Sequence, residues 1–163
     1  MIASALADRQ ALTTEVLARS PNRVWLASDH ALSAREEVSL AEVAVCPQVA
    51  LAADRIDEVM RAVWRRHNLT PRTLLRTSSL EAVRSLVGAG MGVTVLPDFV
   101  YRPWSLEAER IEARPLRDDL PTVDIGLVWR RGLAIPPVTQ EFIEVARDQS
   151  QVRQRRILQG TIA

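Results

Sequence analysis

Residues Thr77 to Pro97 read TSSLEAVRSLVGAGMGVTVLP, and the local chemistry of this stretch points to one kind of fold. Ser78 is a candidate N-cap with Glu81 three residues later, the spacing of a capping box. Leu80, Val83, Leu86 and Val87 then recur at helical spacing. Gly88, Gly90 and Gly92 stop the helix, and Val93 to Leu96 is a short apolar run that ends at Pro97. A capped helix, a glycine turn and a buried strand build sheets with helices packed on them, whose helix N-termini point at a ligand crevice. The glycines are not a dinucleotide fingerprint. That motif follows a strand and opens a helix, whereas these glycines follow a helix and open a strand.

Working upstream, Thr73 to Arg76 is expected to be a strand feeding this helix. Ile56, Val59, Met60, Val63 and Trp64 mark an apolar face of an earlier helix. Asp54 is its candidate N-cap with Asp57 at N3, and Pro71 prevents its continuation past His67-Asn68. Gln48 to Ala52 reads as a buried strand, Ser39 to Glu42 as a second capping box opening a brief helix, and Arg23 to Ala27 as a strand leading into a loop at Ser28 to Leu32. Ala11 to Leu17 reads as an extended connection and Met1 to Ala5 as the end of an element. Downstream, Ile111 to Leu116 and Val123 to Arg130 are expected strands, separated by a turn at Asp118, Asp119 and Pro121. Pro137 opens a final amphipathic helix through Phe142, Ile143, Val145 and Ala146. The remainder, SQVRQRRILQGTIA, is expected to fray. The order is α/β throughout.

With 163 residues the chain forms one domain or two small lobes. A formal charge of +1 gives no global attraction to nucleic acid or to acidic membranes, and every basic residue is arginine. The single cysteine, Cys46, excludes an internal disulfide framework and reads as a buried structural thiol. No run approaches the roughly 18 apolar residues of a membrane helix, and the N-terminus lacks the pattern of a secretory signal. A soluble cytoplasmic protein without membrane contact is expected.

Catalytic chemistry finds little to stand on. His30 and His67 have no metal-ligand spacing, no GxSxG elbow occurs, and the pairs Glu36-Glu37 and Asp118-Asp119 are adjacent, solvated carboxylates. No catalytic residue, metal or cofactor is expected. The arginine clusters at 65–66, 130–131 and 153–156 lack a helix-turn-helix pattern and interleaved aromatics, so no nucleic-acid contact by this chain is expected. More informative is the repetition of one device. Two strand-to-helix joints, Ala52-Ala53-Asp54-Arg55 and Thr77-Ser78-Ser79, place helix N-termini where free amides and the helix dipole favour a carboxylate or other small anion. The same residues also serve simply as caps, and Asp54 opposes an anion unless Arg55 compensates.

Taken in order, RVWLASDHALS (23–33), VSLAEVAVCPQVAL (38–51), the segment LTPRTLLRTSSLEAVRSLVGAGMGVTVLP (69–97) and IEARPL with VDIGLVWRRG (111–132) resemble the effector-binding region of LysR-type transcriptional regulators. Ala31 stands where the family's loop usually carries proline. The resemblance implies a fold like type 2 periplasmic binding proteins, with one complete lobe, a mixed sheet flanked by helices, and an incomplete part of the other. It divides the chain into residues 1–22 as the exit of the first lobe and a crossing strand, 23–97 as the second lobe, 98–147 as the return and partial first lobe, and 148–163 as a disordered basic tail. It implies effector contacts at Ala52, Ala53, Asp54, Arg55, Thr77, Ser78, Ser79 and, on the returning strand, Val128. The partner it implies is a small organic or aromatic acid. The pattern lacks a winged helix-turn-helix here, so the chain reads as a C-terminal piece of a regulator that self-associates through exposed first-lobe strands. A stand-alone solute-binding module of the same fold is the alternative reading, and an enzyme on that fold a distant third.

Overall fold

The computed structural model describes residues 11–160, with backbone alone at 54, 55 and 151–160; the expected element at Met1 to Ala5 lies outside the described residues. In chain order the elements are β1 (Leu12–Ser20), β2 (Asn22–Ala27), α1 (Leu40–Ala44), β3 (Gln48–Leu51), α2 (Asp54–Arg66), β4 (Thr73–Thr77), α3 (Leu80–Gly88), β5 (Thr94–Pro97), β6 (Ile111–Pro115), β7 (Val123–Arg130) and α4 (Pro137–Gly160), with short 3-10 helices at Ala31–Ala34 and Asp98–Val100. Contacts divide them into two compact units, residues 21–123 and residues 1–20 with 124–163.

In the unit of residues 21–123, β2 pairs antiparallel with β5 on one side and with β6 on the other. β3 and β4 pair in parallel. A parallel bridge between Gln48 and Val93 joins the two sheets, so the order across them is β4-β3-β5-β2-β6. Both faces are covered, as the alternation of strand side chains requires. Val24, Leu26, Val93 and Val95 join Val43 of α1 and Met60 and Val63 of α2 in one cluster. Trp25, Val49, Leu51, Leu96 and Ile111 join Val83 and Val87 of α3 in the other.

The stretch from Thr77 to Pro97 owes its shape to its caps. Ser79, not Ser78, caps α3, its hydroxyl accepting from the Ala82 amide at 3.2 Å. Ser79 has extended backbone, and moving the cap one residue leaves Glu81 out of register for the expected box. Helix α3 ends in a paired Schellman arrangement, with Met91 N–H donating to Leu86 O and Gly90 N–H to Val87 O, both at 3.0 Å. Gly90 supplies the left-handed φ of 72° that this stop requires. Gly92 lets β5 approach β3: a Cβ there would lie 2.5 Å from the carbonyl oxygen of Pro47. At the other joint Ala53, not Asp54, is the N-cap, and its methyl side chain makes no capping hydrogen bond. The capping box at Ser39 and Glu42 is present as expected.

Two further expectations are not met. The strand at Ile111 was placed in the first lobe's return, but β6 is hydrogen-bonded along β2, from Arg23 opposite Pro115 to Ala27 opposite Ile111. Its buried Ile111 belongs to the same core as Trp25. The tail expected to fray continues α4 to Gly160, because Gln and Arg are good helix formers and no Gly or Pro interrupts residues 138–159.

In the second unit β1 and β7 form a two-stranded ribbon. Glu15 of β1 accepts two 2.7 Å hydrogen bonds from Arg147 of α4, a bidentate pair that ties helix to strand. That pairing holds the Glu15 carboxyl below its ordinary value.

Candidate functional site

Strands β3 and β4 are parallel, and each turns directly into a helix, so their carboxyl ends fall along one edge of the sheet. Register places Leu51 opposite Thr77. The amide of Ala52 donates to the Thr77 carbonyl at 2.7 Å, which brings the two joints together. Ala52, Ala53, Thr77, Ser78 and Ser79 therefore cluster as the sequence predicted. The backbone of Asp54 and Arg55 opens α2 beside them, while their side chains lie outside the described residues. Val128 is on β7 in the other unit, its side chain half exposed.

The polar groups at the two joints have distinct duties. Thr77 Oγ1 accepts from the Ser79 amide at 3.1 Å, and Ser79 Oγ caps α3, so both hydroxyls are committed to shaping the turn. Ser78 is exposed and its hydroxyl has no such duty among the described residues. The first amides of α3, at Leu80 and Glu81, have no intrahelical acceptor. Helix α2 opens from Ala53, whose methyl side chain offers no cap. Two helix N-termini thus meet at one edge, where their dipoles favour a small anion.

The acids Asp57 and Glu81 of this edge each have an arginine partner. Asp57 of α2 accepts from Arg76 of β4 and pairs with Arg61 at 3.0 Å. Glu81 of α3 pairs with Arg84, which is buried, and whose Nη2 also donates to the Val100 carbonyl. The spacings Asp57–Arg61 and Glu81–Arg84 were visible as same-face helix pairs; the partnership of Arg76 with Asp57 was not, because it crosses between elements.

Beyond the joints, the Cys46 thiol donates to the Glu42 carbonyl at 3.6 Å. Burial pushes its pKa up, which disfavours the reactive thiolate. Among the described residues no group of three His, Cys, Asp or Glu side chains is arranged to hold a metal. No helix of the described residues is long and apolar enough to cross a membrane.

A sheet with helices on both faces and two helix N-termini at the carboxyl ends of its parallel strands is an α/β ligand-binding architecture. Comparison with known proteins makes this specific. The family model for the LysR substrate binding domain matches residues 1–151, and the chain belongs to that family. It is 21% identical over 131 residues to the Hca operon transcriptional activator HcaR of Escherichia coli (strain K12), an alignment covering 78% of this chain and 43% of that protein. The chain thus spans less than half the length of this curated relative. HinK, a LysR family transcriptional regulator from Pseudomonas aeruginosa, superposes with a TM-score of 0.79 at 19% identity, over 86% of this chain and 49% of that one. The effector binding domain of QuiR in complex with shikimate gives 0.70 at 16%, over 89% and 68%. The CcmR regulatory domain of Synechocystis PCC6803 in complex with 2-PG gives 0.74 at 16%, over 86% and 67%. At these identities the structures show the shared fold, of the periplasmic-binding-protein type 2 kind.

Proposed function

We propose that this chain is the effector-sensing region of a LysR-type transcriptional regulator, and that it receives a small organic anion at the joints Ala52–Arg55 and Thr77–Ser79. The observation that carries the reading is the 2.7 Å hydrogen bond from Ala52 to Thr77, which gathers two helix N-termini at the end of a parallel strand pair. Family membership supports it, as do the ligands of two fold neighbours, shikimate and 2-PG. Thr77 and Ser79 hold the turn in shape, and the exposed Ser78 hydroxyl is free to donate to the ligand. The ligand's role is binding alone, with no chemical step. In the whole regulator, an effector that favours one of two arrangements shifts the equilibrium between them by its difference in affinity.

The test is thermal unfolding of the full chain against a panel of organic acids that includes shikimate, each beside its neutral methyl ester. An acid at 100 times its Kd stabilises by about 2.7 kcal/mol, which at roughly 2–4 °C per kcal/mol raises Tm by about 5–10 °C. Ser78→Ala is expected to reduce the shift. A panel in which no acid outperforms its ester would overturn the reading.

A further inference from the structure

A carboxylate in the first turn of a helix steadies the helix but repels an anion arriving at the same end. Helix α3 carries such an acid in its first turn, Glu81, and α2 carries Asp57 at its fourth position; among the described side chains both are matched by arginine. Asp57 is held between Arg76 of the edge strand and Arg61 one turn along α2. Glu81 is held by Arg84, a residue only 6% exposed, whose guanidinium lies 5.9 Å from the ring centroid of the fully buried Trp25. Arg84 Nη2 donates to the Val100 carbonyl, and its Nε has no acceptor among the described residues. Burying a charge with one donor left unsatisfied is a poor way to gain stability, since an apolar side chain of similar volume often does as well or better. Arg84 is thus poorly explained by packing, whereas cancelling Glu81 beside the anion-receiving end explains it directly.

We propose that Arg84 on α3 determines ligand specificity by neutralising the first-turn carboxylate Glu81, so that this helix end keeps a positive field and selects anions over neutral molecules. The proposal rests on the reading that the joints are the effector site. Arg84 acts as a positioning residue through Glu81 and does not touch the ligand. Because the pair is intrahelical, its compensation moves with α3.

Titration of the full chain with sodium sulfate at constant ionic strength, followed by NMR at the amides of Ser78 to Ala82, tests it. Wild type is expected to show saturable shifts at these amides. Arg84→Met is expected to weaken the apparent affinity about two- to fivefold, the worth of one charge at a helix end. Adding Glu81→Gln to that variant is expected to restore it, a rescue that a purely structural role of Arg84 would not give. Glu81→Gln alone, at a half-exposed position, is expected to tighten binding by a similar factor, and it serves if Arg84→Met does not fold. Shifts that fail to saturate in wild type, equal affinity in Arg84→Met, a double variant that stays weak, or a Glu81→Gln affinity equal to wild type would each overturn the proposal. Failure of the effector reading alone is visible separately: sulfate then binds and responds to these charges while no organic acid stabilises the chain.

Discussion

Replacing Gly92 with alanine puts a Cβ 2.5 Å from the carbonyl oxygen of Pro47, 3.1 Å from its carbon and 3.4 Å from Val49 Cγ2. Two of these neighbours are backbone atoms, so the strain cannot be relieved by turning a flexible side chain. The junction between β3 and β5 must open instead, and it is narrow: Val93 N–H to Pro47 O at 2.8 Å and Val49 N–H to Val93 O at 2.9 Å. Overpacking of this kind costs about 1–3 kcal/mol, and weakening one junction hydrogen bond adds about 1 kcal/mol. A loss of about 2–4 kcal/mol lowers Tm by roughly 5–15 °C for a chain of this size. Gly90 supplies the control. Its φ of 72° is left-handed, but nothing lies within 4 Å of an added Cβ. Gly90→Ala should therefore cost only the left-handed penalty, about 1–2 kcal/mol. Urea unfolding of both variants beside wild type, compared at constant slope, measures the difference. A Gly92→Ala variant within 0.5 kcal/mol of wild type (about the scatter of a neutral surface change), or one milder than Gly90→Ala, would refute the steric argument and the joining of the two sheets at this point.

Ser79→Ala removes the cap of α3 and is expected to cost about 1 kcal/mol, with faster hydrogen exchange at Ala82; an unchanged Ala82 amide would return the cap to Ser78. In the β1–β7 unit, Arg147 holds the Glu15 carboxyl below its ordinary value of 4.5, chiefly by hydrogen bonding. Because the folded value is the depressed one, the pair's contribution is present above the unfolded value and is lost as pH falls through the folded one. Protection of α4 amides should thus decline on acidification below about pH 4.5, and Glu15→Gln should remove that dependence; an identical acid profile in the variant would sink the assignment.

Much of the fold was legible because it rests on local chemistry. Ser39 and Glu42 form their box where the spacing put it, and Gly90 stops α3 where a left-handed residue was needed. The errors lie where local signals compete. Ser78 and Ser79 are equally good caps in sequence, and the choice between them follows from the Thr77 hydroxyl receiving the Ser79 amide. Asp54 looked like a cap, yet the chain enters α2 from an extended Ala53. Ile111 gave a strand without saying which sheet it joins, since pairing with β2 is a contact between residues about 90 positions apart, such as Arg23 with Pro115.

Most of the elements, their order and the two strand-to-helix joints were legible locally. These follow from residue periodicity, caps and turn residues acting over a few positions. Tertiary packing brings the joints together, through the Ala52–Thr77 hydrogen bond, and carries the arginine of the edge strand to Asp57. It also showed that Arg84, an ordinary helix residue on the page, is a buried charge beside Trp25. Register and burial arise from packing between distant segments, and no local pattern encodes which of several exposed-looking arginines the fold encloses.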